Sequence, residues 1–144
     1  DRMPSAKFVN PVNFSKIPAN QPFTIQLKLK NLQAGFFTNA QTNYYAAPAE
    51  VNGDGVLIGH THVVIEPCFS LDNTEPLDPT KFTFFKGVNG AADNNGIVTA
   101  NVDKGVPPGV YRLFSINTAA NHMPAVASVA QRGSLDDGIY FTAE

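Results

Sequence analysis

The chain has 144 residues, 10 basic and 12 acidic, giving a formal net charge of −2, and 43% of it is hydrophobic. That length leaves enough apolar material for one core, so residues 1–144 are expected to form a single domain, and no apolar run approaches the roughly 18 residues that a membrane span needs. No cluster of Lys and Arg is dense enough to follow a phosphate backbone, which argues against nucleic acid as a partner.

Only 15% of residues are charged, so the surface must rely on Asn, Gln, Thr and Ser, a composition that suits a secreted, extracellular protein. The chain starts at Asp1 without an initiator Met or an apolar leader, and the expectation is a removed signal peptide or a trimmed segment. Asn13-Phe14-Ser15 fits the acceptor pattern for N-glycosylation. Cys68 is the single cysteine, which excludes an internal disulfide.

In chain order, "AKFVNPVN" predicts a short first strand ending at Pro11, and "SKIPANQP" a turn-rich link. In "PFTIQLKLKN", Phe23, Ile25, Leu27 and Leu29 alternate with Thr24, Gln26, Lys28 and Lys30, the period of a half-buried strand. The stretch from Asn31 to Val56 has paired aromatics, Phe36-Phe37 and Tyr44-Tyr45, but no sustained period, and predicts a long, partly ordered loop. "VLIGHTHVVIE" predicts a strand, and its apolar second half places it centrally in a sheet.

After a polar loop with two prolines, "KFTFFKG" predicts a short strand and "GVNGAADNNG" a set of turns. "GIVTANVD" puts Val98, Ala100 and Val102 on one side of a further strand. A Pro-Pro-Gly turn leads into a strong strand from Val110 to Asn117, and the tail supplies "AVASVA" and "GIYFTA" around the polar "QRGSLDD". No window carries helical spacing over ten or more positions. About seven short strands with turn signals between them predict an all-β, immunoglobulin-like two-sheet β-sandwich with long loops, a barrel being the alternative.

Within "GHTHVVIEP", His60, His62, Val64 and Glu66 share one face of an extended strand, and two residues of rise put the imidazoles about 7 Å apart at the backbone. That spacing lets both reach one ion, Cu or Zn, if a third ligand arrives. His122 in "NTAANHMPA" is the candidate, with Glu66, Asp136 or Asp137 as substitutes. Neighbouring positions for the 58–66 and 110–117 strands would bring His122 near the pair. The competing and preferred reading takes His60 and His62 as hydrogen-bonded side chains on a partly covered sheet face, with no cofactor, because H-x-H is short and common.

Ser115, Ser128 or Ser134 with His122 and an aspartate would be the only serine-nucleophile set, and the chain has no G-x-S-x-G elbow. Asp136-Asp137 with Glu66 could pair for glycoside cleavage, but adjacent aspartates on a turn read as solvated. No catalytic residue is assigned. Phe36, Phe37, Tyr44 and Tyr45, with His122, Asp136 and Asp137 in the later loops, form the candidate ligand-binding set. The same aromatics would also serve to cover an open end of the core.

The stretches "NPVNF", "PFTIQLKLKNL", "GHTHVVIE", "DPTKFTFFKG", "GVYRLFSINTAANHMPAV" and "GSLDDGIYF" cover most of the chain, and with them it resembles a group of small secreted fungal proteins of uncharacterised function. The resemblance implies export by a fungus, and that His60, His62, His122 and Asp136-Asp137 belong to the group's pattern. The chain is also similar to bacterial immunoglobulin-like domains in which a G-H-x-H strand precedes a P-G-x-Y/H-x-L strand and a later His-Pro region. Here His122-Met123-Pro124 departs from the strict His-Pro pair.

These readings together predict a secreted, non-enzymatic fungal β-sandwich that binds a cell-surface glycan or protein ligand, at the cell wall or on a host or environmental surface. The alternative is a metal-binding protein or metal-dependent enzyme built on His60, His62 and His122.

Overall fold

The structure is a computed structural model and describes residues 2–144. Two sheets contain all the named strands among the described residues. The first sheet has the order β1-β3-β7, from strands Ser5–Asn10, Phe23–Lys30 and Ile97–Val102, all antiparallel. The second has the order β2-β9-β8-β5-β4, from Lys16–Ile17, Gly138–Ala143, Gly109–Ala119, Leu57–Pro67 and Leu32–Gln33, with β6 (Phe84–Val88) also paired to β5. The molecule is therefore an all-β sandwich, and its one named helix, α1, spans only Ala40–Asn43.

Alternation places the core between the sheets. On β3, Ile25, Leu27 and Leu29 are buried while Lys28 and Lys30 are exposed, and on β7 Val98 and Ala100 stand opposite Leu27 and Ile25 in the register. From the other sheet Val63, Ile65, Leu113, Ile139 and Phe141 complete the same buried cluster. Tyr111, at the start of β8, packs its ring against Phe141 and donates its hydroxyl hydrogen to the Pro107 carbonyl at 2.9 Å. A buried phenol needs such a partner, and here it fastens the turn entering β8 to the core.

β5 is central, between β8 on one side and β4 and β6 on the other. Residues Gly59–Pro67 pair with Ala119–Tyr111, so His60, His62, Val64 and Glu66 stand opposite Thr118, Ile116, Phe114 and Arg112 on the outer face of the sheet. The segment from Phe36 to Tyr45 lies over the start of this face, held by backbone bonds from Phe36 N–H to Gly59, Thr38 N–H to Ala120 and Tyr45 N–H to Asn121.

Two local expectations differ from the structure. The link after Pro11 contains β2, whose two residues run parallel to β9 at the sheet edge, too short for any period to show. "AVASVA" forms no strand: Val126 and Val129 are exposed, and backbone pairing there stops at the Thr118–Pro124 bridge and the Ala125 N–H to Asn117 bond. Small residues with two valines satisfy β-propensity locally, but no sheet edge is offered to them.

Candidate metal centre

His60 and His62 come from one face of β5, and His122 from the turn that follows β8. Their ligand-capable nitrogens lie within 4.8 Å of one another. His60 Nε2 is 3.0 Å from His62 Nε2 and 3.1 Å from His122 Nδ1, so His60 is the centre of the group. Two imidazole nitrogens bound to one ion at about 2.0–2.1 Å, and spread by about 90–110°, stand roughly 3 Å apart.

The other ring nitrogens fix the tautomers. His60 Nδ1 lies 3.0 Å from the Phe36 carbonyl oxygen, and His122 Nε2 lies 2.7 Å from that of Thr38. A carbonyl only accepts, so each of these nitrogens carries a proton, and in the neutral form of the ring the opposite nitrogen presents a lone pair. Those two opposite nitrogens, His60 Nε2 and His122 Nδ1, stand 3.1 Å apart. Two neutral rings so placed need a proton or a metal ion between them, and a carbonyl behind the ring is the usual outer support of a metal-ligating histidine.

Local sequence explains each placement. His122 has φ +69 and occupies a tight turn that the neighbouring Asn121 side chain braces, accepting from Met123 N–H at 3.2 Å and donating to the Ala47 carbonyl. Opposite His62 the chain has Gly87, where a Cβ would come to 3.4 Å from the His62 ring. Phe85 packs beside His62 at 5.3 Å between centroids, Tyr44 stacks on His122 at 6.0 Å, and Phe37 sets its edge against His60 at 6.1 Å.

His60 is fully buried while His62 and His122 are half-buried, so the group opens on the His62–His122 side. Burial, together with the neighbouring His62, lowers the His60 pKa to about 4, and burial also lowers that of His62. Both rings are therefore neutral at pH 7, the form that binds metal. The opening leads into a pocket of about 760 Å³ walled by Phe37, Tyr44, Tyr45 and Phe85, with His62, His122, Thr118 and Ile116 also lining it.

The other sequence candidates fall elsewhere or contribute differently. Phe36 lends its carbonyl, while its ring does not line the pocket. Glu66 pairs with Arg112 further along the sheet, and Cys68 is buried beyond it. Asp136 accepts from Asn117 N–H at 2.6 Å and Ser115 Oγ at 3.0 Å, and Asp137 from Phe8 N–H at 2.8 Å and Lys7 Nζ at 3.2 Å. These carboxylates tie the segment before β9 to β8 and β1, and they do not line the pocket over the histidines. Sequence reasoning missed Phe85, because it lies inside a strand, and Thr38, because a backbone carbonyl leaves no side-chain signal.

The family model described as the CLU5d N-terminal domain matches residues 6–144. The chain belongs to this family. It is also 46% identical over 143 residues to the Pathogenicity cluster 5 protein d of Colletotrichum graminicola, an alignment that covers 99% of this chain and 30% of that protein. The chain thus spans less than a third of the length of that relative. The fungal resemblance drawn from the sequence holds at the level of the CLU5d family, and the histidine cluster lies inside the matched region.

Proposed function

We propose that this domain holds one copper or zinc ion on His60 Nε2, His62 Nε2 and His122 Nδ1, with a further coordination position open to the pocket. The observation that carries this reading is the convergence of three imidazole nitrogens within 4.8 Å of one another, with a backbone carbonyl behind the His60 and His122 rings. Three neutral imidazoles suit Zn and Cu, and three protein ligands with an open position are the pattern of sites that act on a bound molecule. When bound, the ion would supply a Lewis-acidic centre. The chain's own part is to bring three nitrogens together, hold His60 and His122 by the carbonyls of Phe36 and Thr38, keep water from His60 and present an aromatic wall.

The strand order and the Tyr111–Pro107 bond support an immunoglobulin-like reading of the sandwich as a single domain over residues 1–144. The low charge supports secretion, and the likeness to a pathogenicity-cluster protein supports action outside the fungal cell, at the wall or on a host.

Metal analysis after loading and exhaustive dialysis tests the reading. It should return about one Cu or Zn per chain, with none retained by His62→Ala or His122→Ala. A wild-type chain that keeps no stoichiometric metal would remove it.

A second reading, as a non-enzymatic module for a surface glycan or protein, is favoured by the exposed Tyr44, Tyr45 and Phe37 at the pocket mouth. Binding of metal-free protein to wall glycans or surface proteins, lost in Tyr44→Ala, would support it.

A further inference from the structure

The pocket over the histidines is unusual in what it lacks: among the described residues, no Lys, Arg, Asp or Glu lines it. Its walls are aromatic and aliphatic, with Asn39, Asn89, Thr38 and Thr118 as the uncharged polar groups. The Tyr44 hydroxyl donates to the Tyr45 hydroxyl at 3.3 Å. A phosphate would call for a basic side chain, which these walls lack, and their mainly apolar surface suits a flat ring better than a hydroxyl-rich sugar. A volume of about 760 Å³ belongs to the range of small-molecule sites, about 300–1,000 Å³.

The aromatics also stand in a specific relation to the open ligands. Tyr44 stacks on His122 and Phe85 leans on His62, while the third ligand, His60, is sealed from solvent. A molecule reaching an ion on the histidines therefore enters through the pocket whose walls include Tyr44 and Phe85. Flat aromatic rings gain most from such a passage, through stacked or edge contacts. Three neutral imidazoles would leave the ion's double charge uncompensated, which favours a ligand bringing one anionic oxygen.

We propose that this pocket binds a small phenol, its ring against the aromatic wall that includes Tyr44 and Phe85 and its oxygen on the ion held by the three histidines. The inference rests on the metal reading and names the ligand class of that site. Binding forms one oxygen–metal bond, displaces a water from the open position and releases the phenolic proton to solvent. A free phenol ionises near pH 10, and coordination to a divalent ion lowers that value as it does for water.

The test uses the chain loaded with one equivalent of Cu(II) and titrated with 4-methylphenol, followed by visible absorption and calorimetry. The expected result is a saturable phenolate-to-copper band at one ligand per chain, with proton release. Cyclohexanol and a chitin tetrasaccharide should give neither band nor heat. Tyr44→Ala and Phe85→Ala should keep stoichiometric copper yet bind 4-methylphenol at least tenfold more weakly.

A copper-loaded chain that gives no saturable response to 4-methylphenol would overturn this inference and leave the metal site standing. So would unchanged affinity in the Tyr44→Ala, Phe85→Ala double variant, or preferential binding of the tetrasaccharide. Failure to retain copper at all would overturn both readings together.

Discussion

Gly59 lies so close to Thr118 on the neighbouring strand that a Cβ added to it would run into the Thr118 carbonyl oxygen, with the Thr118 and Ala119 carbonyl carbons at 2.9 and 3.0 Å. The contact is backbone, so no side-chain rotation relieves it. It also sits beside His60, at the point where β5 meets the last residues of β8 before the turn to His122. Glycine here is what lets the strands carrying the ligands approach each other.

Gly59→Ala should therefore do two things. It should lower unfolding stability by about 1–3 kcal/mol, the range for forcing extra volume into a packed region, seen as a lower urea midpoint at unchanged m-value. It should also weaken metal retention, because parting β5 from β8 moves His122 away from the pair. Gly90, where an added Cβ meets nothing within 4 Å, gives the control: Gly90→Ala should leave both readings unchanged.

The histidine cluster makes stability depend on pH in a defined direction. In the unfolded chain histidine takes up a proton near pH 6.5, whereas folded His60 does so only near pH 4, and His62 is lowered as well. Between those values the unfolded state binds more protons, so the stability of the metal-free protein falls as pH drops from about 7 to 4 and levels off below. For His60 alone the full effect is of the order of 3 kcal/mol. Urea midpoints of metal-free protein at pH 7.5, 6, 5 and 4.5 should show this decline, flattened in His60→Gln. Bound metal should be released over the same interval, because protons and the ion compete for the same lone pairs. A flat profile through this interval would mean that His60 is protonated freely in the folded state.

Much of the architecture was legible because side-chain alternation reports burial directly. Phe23–Lys30 and Ile97–Val102 alternate, and they are β3 and β7; the apolar run Val63–Ile65 signals a strand covered on both faces, and β5 is central. The strand pairing that brings His122 to His60 and His62 could be anticipated from the order of strands alone. What distinguishes a metal reading from a hydrogen-bonded pair could not. It depends on the carbonyls of Phe36 and Thr38, supplied by a segment with no periodicity, and backbone groups leave no trace in residue identity. Of the aromatics of that segment, Phe37, Tyr44 and Tyr45 are exposed and wall the pocket, while Phe36 contributes its carbonyl.

Asp136 and Asp137 show how a conspicuous pair can serve the fold. Asp136 accepts from Asn117 N–H and Ser115 Oγ, both in buried residues, so removing the carboxylate strands two donors. Each unsatisfied buried donor costs about 1–3 kcal/mol. Asp136→Ala should lower stability by about 2–4 kcal/mol, with metal stoichiometry unchanged at temperatures where the variant is folded. Loss of metal from folded Asp136→Ala, followed by circular dichroism and metal analysis together, would instead tie this carboxylate to the site.

Asn121 provides the sharpest test of how the third ligand is placed. His122 is in the left-handed region at φ +69, which is uncommon for a residue with a Cβ although His adopts it more readily than most, and the surrounding structure helps to hold it there. Asn121 is 2% exposed and braces the turn from both ends of its amide, accepting from Met123 N–H and donating to the Ala47 carbonyl. Asn121→Ala removes no ligand, yet it should weaken metal affinity about 10–100-fold, the range for losing an outer support, while stoichiometry at saturating metal stays near one. Asn121→Asp keeps the acceptor toward Met123 but cannot donate to Ala47. It should therefore recover part of the affinity if the turn itself positions His122, and none if the tie to the Ala47 segment is what matters. Competition of each variant against a metal-chelating dye reads the affinity apart from the stoichiometry, and wild-type affinity in Asn121→Ala would show that His122 holds its conformation without this brace.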